Sequence, residues 1–272
     1  MELVADLAAR SLLLFGLLLF SCQMVAYRLG YVLGHRSRAA GRAQSADGVG
    51  LVVSSLLALL AFTLALTLSF ASSRYSERRA GVLSEAKAIG TAWLRADAIG
   101  HAQAREIADL LKQYGTLRRD FVQVPRGSPA IEEINGHTAI LQSQIWDHLS
   151  SIVRERPDDV SSSLMESLND AFDASTAERF AIETKMPHQL FWLLIGIIFV
   201  SMGAFGYQLG LNGHELRVLS ILLVAVWTAV LVVILDLSAP RIGTTRTSTT
   251  VYDWIIDGMK SSSSMPSPSV SR

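Results

Sequence analysis

Apolar residues are gathered in four runs that are separated by polar or charged joints. The runs cover residues 11–32, 49–70, 190–210 and 218–235, and the second (VGLVVSSLLALLAFTLALTLSF) has no charged residue. Each run approaches the roughly 20 apolar residues that a helix needs to cross a hydrocarbon core about 30 Å thick. The pattern therefore predicts four transmembrane helices.

The first run must be distinguished from a secretory signal. The stretch Leu19-Phe20-Ser21-Cys22 resembles a lipoprotein cleavage site, but the preceding residues (MELVADLAAR) carry two acidic residues and one arginine. A signal peptide has a basic N-terminal region, and the apolar character here continues past the cysteine as far as Tyr31. We therefore expect a retained helix. Cys22 is the single cysteine of the chain, which excludes an intrachain disulfide.

Two glycine pairs have the spacing that lets membrane helices approach closely, Gly30xxxGly34 and Gly206xxxGly210. Both pairs fall near the end of an apolar run. This position favours a flexible exit from the helix over a packing contact.

The segment between the second and third runs is polar and helical. Residues 71–187 hold 31 of the 48 charged residues. Apolar residues recur there at helical spacing, which predicts that the second membrane helix continues to Ile99 and ends at Gly100. Three more helices are predicted at 102–122, 130–156 and 160–186, the last capped by Asp159 and presenting Phe180 on its apolar face.

No segment alternates with period two, so the sequence predicts an all-α membrane protein with a helical bundle inserted between its second and third spans. A short amphipathic helix after the last span would lie on the membrane or dock on the bundle. The predicted parts are a first membrane hairpin (1–70), the extramembrane bundle (71–187), a second membrane hairpin (188–237), a post-membrane segment with the amphipathic helix (238–260) and a disordered tail (261–272).

Charge and motif content exclude several function classes. The net charge is zero, so a nucleic-acid partner has no electrostatic support. No two of the six histidines stand four residues apart, and no phosphate-binding loop, zinc spacing or nucleophile motif occurs. No charged residue lies in the middle of a span, which argues against a proton-coupled transporter. We expect no enzyme, no metal site and no cofactor.

The charges that flank the spans give conflicting orientations. Four arginines in the first connecting loop place that loop in the cytoplasm and the bundle outside, when the first helix alone is considered. Basic residues at the opposite membrane ends favour a cytoplasmic bundle. The two sets are Arg28, Arg36, Arg38 and Arg42 against Arg74, Arg78, Arg79, Arg179, Lys185, Arg241 and Arg246.

Three local features carry a family resemblance. They are the junction Arg74-Tyr75-Ser76-Glu77-Arg78-Arg79 with the following run EAKAIGTAWLRAD, the pair Leu110-Leu111 with Tyr114, and Leu235-Asp236-Leu237 with Pro240 and Gly243. With the layout of spans and bundle, they resemble the bestrophin-like domain family of membrane proteins over nearly the whole chain. A more distant similarity is to the bestrophins themselves.

The resemblance implies a pentameric, ion-conducting channel in which the second span of each subunit lines the pore, with the lipid bilayer and inorganic ions as partners. It also implies a cytoplasmic bundle, and we expect the bacterial inner (plasma) membrane as the location. The acidic cluster of the calcium clasp of animal bestrophins has no match after the fourth span. The rival hypotheses are a membrane-anchored sensor or scaffold that binds a small ligand or protein partner, and a structural subunit of a larger complex.

Candidate site residues follow from the pore hypothesis. Hydroxyls and bulky apolar side chains along the second span would line the pore and form an apolar constriction, although such hydroxyls also bond to the preceding turn of their own helix. The pore-lining candidates are Ser55, Leu59, Phe62, Thr63 and Leu66.

The charged candidates lie at the ends of the spans. Arg74, Arg78 and Arg79 would anchor the chain in lipid headgroups or form a positive pore mouth. An acid near a helix C-terminus opposes the helix dipole, so Asp236 should pair with Arg241 or a junction arginine. Glu85 should pair with Arg78 or Lys87, or make a contact between helices or subunits.

Overall fold

The computed structural model describes residues 12–41, 46–125, 128–184, 188–214, 216–238 and 247–264, and no strand occurs among them. The all-α prediction is therefore confirmed for this part of the chain. The helices are α1 (Leu12–Ala39), α2 (Ala46–Ile99), α3 (Ala102–Gln123), α4 (Ala130–Glu155), α5 (Asp159–Glu183), α6 (His188–Asn212), α7 (Arg217–Ser238) and α8 (Thr250–Ser264). Helices α1, α2, α6 and α7 are long and apolar enough to cross a membrane.

The helix ends have local causes. Helix α2 stops at Ile99 because Gly100 takes a positive φ of 70°, a conformation that costs a glycine little, so the predicted end is confirmed. At the start of α5 the prediction is wrong by one residue. Asp158 is the N-cap: it accepts from the Ser161 amide, and the Ser161 side chain accepts from the Asp158 amide.

The chain forms two compact units. The apolar unit contains α1, the part of α2 up to Tyr75, α6 and α7. The bundle unit contains α2 from Ser76 onward together with α3, α4, α5 and α8. Helix α8 therefore belongs with the bundle, whereas the sequence treats it as part of a separate post-membrane segment.

The apolar unit is held by a close contact between α1 and α6. A Cβ added to a glycine of either motif would clash with a backbone oxygen of the other helix. The preference for flexible helix exits is therefore wrong, because the absence of side chains is what lets the backbones touch. Contacts advance along both helices in the same direction, so α1 and α6 run parallel. The four glycines are Gly30 and Gly34 of α1 and Gly206 and Gly210 of α6.

Polar groups also join the helices of the apolar unit. The Gln23 side-chain nitrogen donates to the Thr228 hydroxyl at 2.9 Å, and the Ser220 hydroxyl donates to the Tyr27 hydroxyl at 3.0 Å. All four side chains are buried. In an apolar surrounding such bonds fix the rotation of α1 relative to α7 more than they add stability.

Helix α8 docks on the bundle, which decides between the two locations expected for it. Tyr252, Ile256 and Met259 are buried in the bundle core. Two polar contacts with α3 flank this face: Arg119 lies 3.3 Å from the Asp253 carboxylate, and Gln123 donates to the Thr249 hydroxyl at 2.7 Å.

The helix extends into the segment expected to be disordered. It continues to Ser264, and its last turns include a hydrogen bond from the Ser261 hydroxyl to the Gly258 carbonyl oxygen. Serine is only mildly unfavourable in a helix, so a serine run does not by itself stop one. Residues 265–272 of the predicted tail lie outside the described residues.

The glycine contact gives a direct test of the packing in the apolar unit. Gly206→Ala places a methyl group against the Tyr27 carbonyl oxygen, a backbone atom that cannot rotate away. We expect a loss of roughly 1–3 kcal/mol, as for other overpacked sites, measured as a lower Tm of the detergent-solubilised protein. Gly203→Ala is the matched control in the same helix, because its added Cβ would lie 3.8 Å from the nearest atom, the Ala26 carbonyl oxygen. Equal Tm values for the two variants would contradict the close contact.

Candidate functional site

One face of α2 in the apolar unit is not covered by the protein's own chain. The buried residues of this part are Val53, Leu60, Leu64 and Ala71. An α-helix turns about 100° per residue, so this set forms one narrow stripe. Only 17% of the most apolar 18-residue window of α2 is buried. Most of its circumference is therefore available to lipid, to another subunit or to a pore.

The sequence-predicted pore residues lie on the uncovered side of α2. Phe62 is 62% exposed, and Ser55, Leu59 and Leu66 are also exposed. Their spacing of four, three and four residues places these four on one stripe, roughly opposite the buried stripe. Thr63 is half-buried at the edge of this stripe. We call the five residues the α2 open face.

The hydroxyls of the α2 open face are satisfied within the helix. Ser55 donates to the Leu51 carbonyl oxygen at 2.9 Å, and Thr63 donates to the Leu59 carbonyl oxygen at 2.7 Å. These bonds remove any need for water next to the hydroxyls, while each oxygen can still accept a hydrogen bond. The open face is therefore mainly apolar, with two weakly polar positions.

A buried ion pair forms the centre of the bundle unit. The Arg118 guanidinium of α3 makes a two-armed contact with the Glu85 carboxylate of α2, the second arm at 3.3 Å, and both side chains are fully buried. Arg118 also donates to the Ser175 carbonyl oxygen of α5 at 3.3 Å. The Tyr252 hydroxyl of α8 donates to Glu85 at 2.7 Å. Four helices therefore meet at one charge pair.

The surroundings of this pair fix its charge state. Burial lowers the pKa of Arg118, but the carboxylate of Glu85 more than offsets this, so the pKa is raised overall. Burial, followed by the charge of Glu85, raises the pKa of Tyr252 well above its ordinary value. Burial likewise raises the pKa of Tyr114, which accepts a hydrogen bond from Gln142 at 3.1 Å. The arginine is charged and both phenols are neutral throughout the physiological range.

A second acid lies beside the pair without a hydrogen bond. Glu178 of α5 is 1% exposed, and neither of its carboxyl oxygens has a hydrogen-bond partner among the described residues. Burial raises its pKa to about 7, with Glu85 adding to the rise and Arg118 and Arg78 opposing it. Buried carboxylates usually have a hydrogen-bond or ion-pair partner, so a buried carboxyl group with a raised pKa and no hydrogen bond is a candidate functional group.

The junction arginines do not behave as one group. Arg78 is only 4% exposed and lies in the bundle unit, so its side chain does not fit the expected contact with lipid or solvent at a pore mouth. It occupies the buried stripe of α2, seven residues before Glu85. Arg74 and Arg79 are exposed, and the guanidinium of Arg74 lies 5.3 Å from the centre of the Phe70 ring.

The expected ion pairs have different outcomes. Glu85 is paired with Arg118 on another helix, and sequence reasoning named a contact between helices among its alternatives without identifying this partner. Asp236 is half-buried near the end of α7, where it takes part in a further interaction. Arg241 lies outside the described residues, so their pairing stays a prediction. Within the described ranges no three metal-ligating side chains are grouped to hold an ion.

Sequence reasoning missed Arg118 and Glu178, although a signal for both exists. Arg118 continues the heptad-like series Leu111, Tyr114, Arg118, Phe121, all of which are buried. Glu178 continues the series Leu164, Leu168, Ala171, Ser175 and Ile182 on the buried face of α5. Phe180, which was assigned to that face, is 70% exposed. Position in the helical period was the better guide to burial than residue type.

The chain resembles known proteins in both sequence and fold. A family model for the Bestrophin-like domain matches residues 19–252. Two crystal structures of variants of a bacterial bestrophin homologue from Klebsiella pneumoniae have the same fold at 13% sequence identity. One has a TM-score of 0.65 and covers 89% of this chain and 99% of that chain. The other has a TM-score of 0.66 and covers 90% and 98%. No curated protein matches the sequence.

Because of the buried pair, we expect the stability of the protein to be sensitive even to the conservative substitution Arg118→Lys. Arg118→Lys keeps the charge but cannot bind Glu85 with two arms while also reaching the Ser175 carbonyl oxygen. We expect a loss of about 1–3 kcal/mol, because buried acceptors lose their hydrogen bonds while the charge is kept, and we expect it to be seen as a clear fall in Tm. Arg179→Lys is the control, because Arg179 forms an exposed pair with Glu183 that contributes about 0.5 kcal/mol or less. Similar Tm losses for the two variants would contradict the central role of the buried pair.

Proposed function

Because this chain belongs to the family of proteins with a Bestrophin-like domain, we propose that it is a homo-oligomeric ion channel in which the second span of each subunit lines the pore. Helices α1, α6 and α7 and the first part of α2 would be the four spans. The bundle would be inserted between the second and third spans and would face the cytoplasm. The bacterial inner (plasma) membrane is the proposed location.

The α2 open face is the observation that carries this proposal. A single subunit with four apolar helices has little room for a water-filled path between them. A ring of subunits would instead enclose a path by pointing one helix face of each subunit toward the symmetry axis. The face formed by Ser55, Leu59, Phe62 and Leu66 is uncovered in the subunit and is suited to that position.

The side chains of the open face suggest how such a pore would be controlled. Rings of Leu59, Phe62 and Leu66 would make an apolar constriction, and narrow apolar pores lose water and stop conducting until they widen. Arg74 would lie about two helical turns beyond Leu66, the last residue of the constriction, and its positive side chain would favour anions near it. Arg78 has no part in this, since it is buried.

The pore proposal is tested by ion flux into liposomes that contain the purified protein. Phe62→Ala widens the apolar constriction and lowers its barrier to ions, so we expect flux at least about threefold higher than that of the unmodified protein. Leu222→Ala is the matched control, because Leu222 is an exposed apolar residue of α7 and lies off the proposed pore. Anions and cations are measured separately, at several pH values and calcium concentrations.

Chemical modification of single cysteines tests which residues line the ion path, and its result does not depend on the height of the apolar barrier. Both cysteine variants are made in a Cys22→Ser background. A charged, water-soluble thiol reagent should block ion flux through Phe62→Cys but not through Leu222→Cys. Equal reactivity at both positions would contradict pore lining by α2. No flux from any variant, with incorporation verified, would favour the membrane-anchored sensor or scaffold.

The oligomeric state is a separate prediction. By analogy with bestrophins we expect a pentamer, so native mass spectrometry should give a protein mass about five times the 29.6 kDa of one chain. A monomer would contradict the ring that the pore requires. A ring of another size would keep the pore but remove the analogy with bestrophin stoichiometry.

A further inference from the structure

We propose that Glu178 is a proton-binding site that controls how tightly α5 packs against α2 in the bundle unit. With its proton bound, the neutral carboxyl group fits its buried, donor-poor position. Without the proton, the carboxylate is stable only if water or a charged side chain moves to it. This proposal does not depend on the channel function proposed above.

The surroundings of Glu178 are closely packed and do not stabilise an ionised carboxylate. Its side chain lies against Gly81 of α2, and a Cβ at that glycine would clash with the carboxyl oxygen. Both carboxyl oxygens are shielded from solvent, and no donor among the described residues reaches them. A buried carboxylate without donors is strongly unfavourable, whereas a neutral carboxyl group in the same position loses far less.

The charged and titratable neighbours come from three other helices. Arg78 and Glu85 are on α2, Arg118 is on α3, and Tyr252 is on α8. Arg118 and Tyr252 are already committed to Glu85 through hydrogen bonds. Helix α4 contributes Gln142, which is uncharged and bonds to the Ser175 and Tyr114 hydroxyls. Arg118 and Arg78 are the two cations whose charge favours the ionised form of Glu178, and Arg118 has the larger effect although it is bonded to Glu85.

The pH range in which Glu178 affects the stability of the fold follows from the direction in which its pKa is shifted. Burial raises the pKa of Glu178 from 4.5 to about 7. Below pH 4.5 the group is protonated in both the folded and the unfolded state. As the pH rises through the window from 4.5 to about 7, the unfolded state loses the proton first, so this group makes folding progressively less favourable. Above that window the effect is constant.

The test compares the full-length protein with Glu178→Gln in detergent at pH 5.5 and pH 8.5. Glutamine imitates the protonated acid, so the variant should fold, and at pH 5.5 its unfolding equilibrium should differ from that of the unmodified protein by only about tenfold, because pH 5.5 lies one unit inside the window that begins at 4.5. At pH 8.5 it should be the more stable of the two, with the unfolding equilibrium changed by about tenfold for each unit by which the pKa is raised. Glu166→Gln, an exposed position on the same helix, is the control and should show no pH-dependent difference.

Two further measurements make the outcome specific to proton binding. Amide hydrogen exchange in α5 and in residues 78–86, corrected for the intrinsic effect of pH, should be about tenfold faster at pH 8.5 than at pH 5.5 and should lose this difference in Glu178→Gln. Infrared difference spectra should show a protonated carboxyl band that titrates near neutral pH and is absent from the variant. A stability difference between the proteins that is the same at both pH values, or a band that is unchanged in the variant, would overturn the proposal.

Discussion

A guanidinium group that is removed from water must be surrounded by acceptors, and this requirement organises the bundle unit around Arg118. Its partner Glu85 belongs to α2, its carbonyl acceptor Ser175 belongs to α5, and Tyr252 of α8 completes the acid's shell. A slide or rotation of any of these helices would break the ion pair itself or one of the hydrogen bonds that surround it. Such a pair adds little net stability compared with an apolar core, but it penalises every other register. The pair is therefore best understood as a device of specificity.

The two parts of α2 bury different kinds of residue because the groups that surround them differ. In the apolar unit its buried stripe consists of small and aliphatic residues, and its hydroxyls turn back onto the helix. Within the bundle unit the buried stripe includes Arg78 and Glu85, because charged groups on neighbouring helices are available there. The apolar unit gains its close contact from missing side chains, as at Gly30 and Gly206. Packing replaces the hydrophobic effect where the surroundings are themselves apolar.

Periodicity, Gly100 and the proline-containing turns were sufficient to predict each described helix, although the start of α5 and the end of α8 were misplaced. It was less informative about what lies between helices. Hydrophobicity alone assigned Phe180 to the buried face, whereas the structure buries Glu178, two residues away. The partner that makes the burial of Glu85 favourable comes from a distant part of the chain, since Arg118 lies 33 residues away. No local pattern contains that pairing, although the heptad-like series shows which positions face inward.

Fold similarity at 13% identity has the same limit, because it preserves backbone positions while leaving side-chain chemistry free to change. The open face of α2 is a feature that many sequences could supply, whereas the buried acid depends on particular residues. The open face needs only bulky apolar residues at the positions of Leu59, Phe62 and Leu66, so many sequences would satisfy it. The acid needs a glycine opposite it, a committed ion pair beside it and, among the described residues, no hydrogen-bond donor to its oxygens. Such a combination is fragile, since a single added donor would turn Glu178 into an ordinary paired carboxylate. Its chemistry is therefore a property of this chain's own residues, which the shared fold does not dictate.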